Sequence, residues 1–336
     1  MRSVRSFVVL LAVLLVCSWV RGQVSPRVGR VAERYERAMA LYRSERYAAA
    51  EEEFRVIAQL DEKKIGALQG ESAFFSAVCA ARLGRRDAAY ELQRFIEFHP
   101  VSSRVDEARY ELGSLYYNSK RYKEALRWFS DIVGTAFDEE QRAEVDFKRA
   151  YCLFTTDRLS EAFPIFARVK ENVSYFQAPA TYYYAHIAYT QGHYSTALDN
   201  FKRIDNDPSF APIVPYYVAQ IYYKQENYRL LANYIAPLVD DATSSRQSEM
   251  QRMLGEAYFR LGLYDSAKLV LDKYAERIGL RALSRDDNYL LGVVDYKMQK
   301  WESAAKYLER VPTVEDSVTQ NAYYHLGDCY LHLGGN

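Results

Sequence analysis

A small side chain returns through this sequence at a nearly constant interval. Ala50, Ala88, Ala125, Ala162, Ala197, Leu231, Ala267 and Ala304 lie 38, 37, 37, 35, 34, 36 and 37 residues apart, and only the sixth is bulky. A fixed period near 36 marks a solenoid, in which each unit is too small to bury its own apolar faces and needs a neighbour on either side. The clearest unit is Asp106–Glu139. Its first half places Ala108, Leu112, Leu115 and Tyr116 at steps of three and four, which gathers them on one helical face. The pattern breaks at 118–121 and resumes after Tyr122 with Ala125, Leu126, Phe129, Ile132 and Val133. Gly113 and Ala125 are expected on the facing surfaces, where little bulk lets two backbones approach while Tyr116 and Phe129 fill the space around them.

The same template recurs with local departures. Units are expected to start near 31, 69, 106, 143, 178, 212, 248, 285 and 320, the last without a second helix. The turn before Ala88 reads as one residue short, and Pro100 ends the helix before it. Pro164 falls in or just beyond a helix's opening turn, where a missing N–H costs little. In the sixth unit Leu231 replaces the small residue and Pro237 follows, so looser packing or a kink is expected there. Because terminal repeats usually carry a polar cap, a sequence stopping in mid-repeat is expected to be the front part of a longer polypeptide.

The first residues have a different character. Arg2 and Arg5 precede an apolar run from Phe7 to Val16, and Val20-Arg21-Gly22 offers modest side chains at the positions a signal peptidase reads. Residues 1–22 are therefore expected to be an export signal cleaved before Gln23, followed by a short leader at 23–30. The run is shorter than the roughly 20 residues that span a bilayer, which leaves an uncleaved anchor as the second reading. Val16 before Cys17 argues against lipidation, since that signal wants a small residue there. The remaining Cys79, Cys152 and Cys329 are odd in number, lie in different units and read as small buried hydrophobes.

Charge excludes one class of partner. With 44 basic and 44 acidic residues there is no field to attract nucleic acid. No Ser or Cys nucleophile with a base and acid at a recognisable spacing is present, nor a phosphate-binding glycine loop, so neither catalysis nor a cofactor is expected. His325, Cys329 and His332 could share one helical face with Asp328 beside them, but structural zinc usually draws four ligands and the expectation is no metal.

Composition points to contact instead. Thirty tyrosines exceed what core packing needs, and tyrosine combines broad area, few rotors and a hydroxyl. Outward positions of the first helices form an aromatic series: Tyr110 and Tyr117; Phe147, Tyr151 and Phe154; Tyr182, Tyr183, His186 and Tyr189; Tyr216, Tyr217, Gln220 and Tyr223; Tyr289 and Tyr296. These are the candidate partner-binding residues. The alternative for any one ring is that it wedges successive repeats together.

With a Gly or Ala, a Tyr, then an Ala and a Phe at these offsets in eight successive units and a half, the chain resembles the tetratricopeptide repeat family over about 300 residues. The resemblance implies an all-α fold, a right-handed α-solenoid of about eight and a half helix–turn–helix repeats over 31–336, with first helices lining a concave groove. It implies a non-enzymatic scaffold for a protein or peptide partner, and for an exported bacterial member a place in the periplasm or at the outer membrane, with no membrane span after signal cleavage. The second reading is an N-terminal structural repeat module of a longer envelope-anchored protein. The family's chaperone-binding branch grips a carboxylate with Lys and Asn where this chain largely has tyrosine, so that client does not carry over.

Overall fold

The computed structural model describes residues 26–60, 67–134, 137–240 and 246–334. The expected signal at 1–22, with Cys17, and the first leader residues lie outside them; residues 26–30 form the opening of the first helix. Among the described residues there are 17 helices and no strand. The chain divides into two compact units at Phe176/Gln177.

The first unit holds four helix pairs: α1 (Pro26–Arg43) with α2 (Tyr47–Ala58), α3 (Ala67–Arg82) with α4 (Ala88–Phe98), α5 (Val105–Asn118) with α6 (Tyr122–Ser130), and α7 (Glu139–Thr155) with α8 (Leu159–Val169). The second holds α9 (Gln177–Thr190) with α10 (Tyr194–Arg203), α11 (Val214–Lys224) with α12 (Tyr228–Ile235), α13 (Gln247–Arg260) with α14 (Tyr264–Ile278), α15 (Arg285–Lys297) with α16 (Trp301–Leu308), and then α17 (Ser317–His332). Within each unit, helices adjacent in sequence pack together, and the first helices of successive repeats touch as well, so contacts reach no farther than the neighbouring repeat, as one-dimensional stacking requires.

One turn geometry is used throughout. Each first helix ends two residues before a residue of positive φ: Glu45, Gly84, Lys120, Asp157, Gly192, Glu226, Gly262 and Gln299. The next N–H reaches back to the carbonyl five residues earlier, as in Arg46 to Leu41 at 2.9 Å and Lys300 to Asp295 at 2.9 Å, which ties off the helix end. Five of these eight residues are not glycine, so the turn is held against a backbone preference.

Counting from that residue aligns every repeat. Seven positions before it stand Ala38, Ala77, Gly113, Ala150, Ala185, Ala219, Gly255 and Gly292, all buried. Facing them from the second helices are Phe54, Leu92, Phe129, Phe166, Phe201, Ile235, Leu271 and Leu308, each essentially inaccessible. The fit is close: a Cβ on Gly113 would lie 2.7 Å from the Phe129 ring, and one on Gly292 2.7 Å from Leu308. Cys79, Cys152 and Cys329 are free and fully buried, and burial pushes the Cys79 and Cys152 thiols up to about 12.

The connection before Ala88 is one residue short, since Leu92 stands eight residues after Gly84 where Phe54 and Phe129 stand nine after Glu45 and Lys120, and regular helix begins only at Ala88. One local expectation changes. The sixth repeat is not loose at Leu231, which is fully buried; Ile235 takes the place of a phenylalanine, and α12 closes there, before Pro237, without kinking.

Candidate interaction surface

Each tyrosine's surroundings follow from its place relative to the turn. Three positions before the turn residue an aromatic ring meets the aromatic that opens the second helix. The pairs are Tyr42–Tyr47, Tyr117–Tyr122, Tyr189–Tyr194, Tyr223–Tyr228, Phe259–Tyr264 and Tyr296–Trp301, with centroids 5.4–6.2 Å apart. This edge-on contact clamps the hairpin. The ring also reaches the first helix of the next repeat. Tyr189 donates its hydroxyl to Gln220 Oε1, Tyr223 to Glu256 Oε2 at 2.7 Å, and Tyr296 to Asp328 Oδ2 at 2.6 Å. Tyr117 makes the same step through a ring contact with Tyr151 at 5.6 Å.

Burial and these acidic acceptors hold the hydroxyls protonated. Tyr223 is pushed up to about 12 by burial and then by Glu256. Tyr296 reaches about 12 chiefly through its bond to Asp328. They are donors already spent inside the protein.

None of the fifteen candidate residues is fully exposed, and Phe147 and Tyr216 are buried. In the first unit Tyr110 lies edge-on to Phe137 at 6.2 Å, donates to Glu144 Oε1 at 2.7 Å and accepts from Lys148 Nζ at 3.1 Å. Phe147 packs on Phe176 and Phe166, and Tyr151 sits against Tyr122, all three rings closer than 6 Å; Phe154, also on α7, is half-buried. In the second unit Tyr182 stacks on Phe210 at 5.1 Å beside Tyr183, and Tyr217 lies flat on Phe201 at 5.1 Å with His186 and Tyr189 at its edge. Tyr289 packs among Val293, Ala304 and their neighbours. These rings are therefore largely repeat-to-repeat wedges.

Four candidates do come together at an open surface. Tyr189, Tyr216, Gln220 and Tyr223 line a cleft of about 870 Å³, together with residues that include Tyr228, Ser248, Glu249, Arg252, Met253, Glu256 and Arg260. One hydrogen-bonded chain organises its wall: Tyr189 donates to Gln220, whose amide donates to the Tyr216 hydroxyl, and Arg246 lies 4.2 Å above the Tyr216 ring. Across the cleft Arg252 bonds Asp287 at 2.6 Å, and Arg260 approaches Glu256 at 3.4 Å. The result is an aromatic and charged trough whose side chains are fixed before any ligand arrives. Glu256 escaped the sequence reading because its tyrosine partner, Tyr223, stands 33 residues away; only an alignment on the turn residue brings them together.

The histidines near the C-terminal end do not gather. His325 lies against Tyr296 at 4.3 Å, His332 stacks on Trp301 at 4.1 Å, and Cys329 is fully buried. Among the described residues no group of three or more His, Cys, Asp or Glu could hold a metal. No helix among them is long and apolar enough to cross a membrane.

Comparison with known proteins bears on the fold. Residues 85–140 match the tetratricopeptide repeat family. No curated protein matches this sequence. Among solved structures, the chain is similar to a tetratricopeptide repeat protein from Parabacteroides merdae (14% identity, 77% of this chain and 98% of that one, TM-score 0.44). It is also similar to YrrB, described as having an unusual peptide-binding site (18%, 57% and 91%, TM-score 0.43), and to PilW, a type IV pilus biogenesis factor (16%, 66% and 100%, TM-score 0.41).

Proposed function

Taking as premise that this chain is a tetratricopeptide repeat protein, a fold that serves protein–protein interaction, we propose that it binds an extended peptide segment of a partner in the second-unit cleft. The carrying observation is that cleft: four first-helix side chains converge on a space of about 870 Å³ with their rotamers already locked by hydrogen bonds. Ordering rotamer-rich side chains on binding costs about 0.5–1.5 kcal/mol each, so a pre-set wall keeps that much more of the contact energy. Tyrosine edges and the Arg252 and Arg260 guanidinium groups suit a backbone with mixed side chains better than a purely apolar helix. Binding is passive and no reaction is assigned to the chain. The apolar run at 7–16 supports export, and with it a scaffold role in the bacterial periplasm or at the outer membrane.

Peptide display panned against the purified protein tests the cleft. Enriched peptides are expected to lose at least tenfold in affinity for Ser248→Trp, which fills the cleft from a half-buried position, while far-UV circular dichroism stays unchanged. Equal binding to the folded variant removes the cleft from the reading. Export is tested by fractionating cells that express the chain with and without residues 1–22.

A further inference from the structure

The first unit contains a second concavity that the peptide reading does not use. It encloses about 480 Å³ between α2, α3 and α4. Its floor is Ala73, Ser76 and Ala80, where the equivalent residues of the neighbouring repeats are Arg34, Arg37 and Leu41 before and Arg109, Leu112 and Tyr116 after. The missing bulk leaves space that Phe95 and Phe98 bound on one side.

The polar groups around that space include two arginines without a tight acidic partner, beside Gln59 and Gln69, the second with its Oε1 buried and unbonded among the described residues. Arg55 is exposed on α2 and has no acidic partner among the described residues. Arg94 reaches Glu91 only at 3.8 Å and otherwise lies 5.7 Å over the Phe98 ring. The Ser76 hydroxyl makes no hydrogen bond among the described residues, and the His99 ring does no more than stack on Phe95 at 5.1 Å. Of the two acids at the rim, Glu51 is taken by Arg85, which Asp87 also holds, and Glu91 faces Arg94. Two guanidinium groups with no acid closer than 3.8 Å, set beside an aromatic wall, call for an anion with a flat apolar body.

We propose that this concavity binds a small aromatic carboxylate, the carboxylate between Arg55 and Arg94 and the ring system against Phe95 over the Ala73–Ala80 floor. Phe98, 72% exposed at the mouth, closes over the ligand's outer edge. The site lies in a different unit from the peptide cleft and stands or falls independently of it.

Titration calorimetry of the whole chain with 2-naphthoate and with its neutral isostere 2-naphthamide is the test. Naphthoate is expected to bind at least tenfold more tightly than naphthamide. Arg55→Gln and Arg94→Gln, both at exposed positions, are each expected to erase most of that preference while the circular dichroism spectrum is kept. Equal affinity for acid and amide, an undiminished preference in both variants, or no heat from naphthoate at millimolar concentration overturns the proposal.

Discussion

Replacing Asp287 by Asn should cost the second unit about 3 kcal/mol at neutral pH, in the lower part of the range for breaking a buried ion pair. Asp287 is 5% exposed near the start of α15 and joins three helices. One carboxylate oxygen accepts from Arg252 Nε of α13 at 2.6 Å; the other accepts from the Tyr274 hydroxyl of α14 at 3.0 Å and from the Ser284 N–H at 3.0 Å and hydroxyl at 2.6 Å. Asparagine has one acceptor oxygen for two donor sets, so whichever way it turns, its NH₂ faces a donor. A donor left unsatisfied costs about 1–3 kcal/mol, and Arg252 loses the nearer of its two acidic partners besides, keeping only Glu256 at 3.7 Å. Because Arg252 keeps some solvent access, with 29% of its side chain exposed, the total stays below the upper limit.

The pH dependence gives an independent check. Burial alone would raise the Asp287 carboxyl, but the Ser284 and Arg252 bonds overcome that and hold it below the usual carboxylate range. A depressed folded value means that this stabilisation is complete above the unfolded value of about 3.9 and disappears as pH falls through the folded one. The gap between wild type and Asp287→Asn should therefore be constant from pH 7 to about 5 and shrink below about 4. Stacked repeats need not unfold in one step, so urea denaturation followed by circular dichroism should be paired with hydrogen exchange read on α13–α15. A gap under about 1 kcal/mol at pH 7, the size of an ordinary surface change, or one that persists undiminished at pH 3.5, refutes the reasoning.

Three further outcomes follow from the fold. Lys120→Gly and Gln299→Gly should each stabilise by about 0.5–1 kcal/mol in urea denaturation, since a left-handed backbone strains an L-residue by more than glycine's extra chain entropy costs. Gly113→Val should cost about 2–3 kcal/mol, read the same way, because the Phe129 ring already fills the space the side chain would enter. Cys79 and Cys152 should resist a thiol-alkylating reagent at pH 8 in the native protein and react on unfolding, as peptide mapping will show; native labelling would contradict their burial and their raised thiol values.

The repeat was legible because it rests on volume: a small residue opposite a large one, returned every 34–38 positions, survives in any sequence that builds this hairpin. The aromatic series was legible as a series, but its role was not. Helical spacing puts Tyr117, Tyr189 and Tyr223 on an outward face, yet the ring that opens each second helix and the polar residue of the following repeat take up that face. A hydrogen bond spanning 31 or 33 residues leaves no mark in local periodicity. The concavity beside Arg55 was invisible for the opposite reason, since it is made by side chains that are absent, and Ala73 or Ala80 taken alone is an ordinary helical alanine.

The tyrosine hydroxyl bonds of the second unit have a mechanical consequence. Each ties one hairpin to its immediate successor and to nothing farther along, and Arg252–Asp287 makes the step between Tyr223–Glu256 and Tyr296–Asp328, so tension is borne by local stitches in series. Stretched from its ends, this unit should ravel one hairpin at a time, each rupture paying out about 36 residues, roughly 120 Å of extended chain, while the hairpins beyond the break keep their shape.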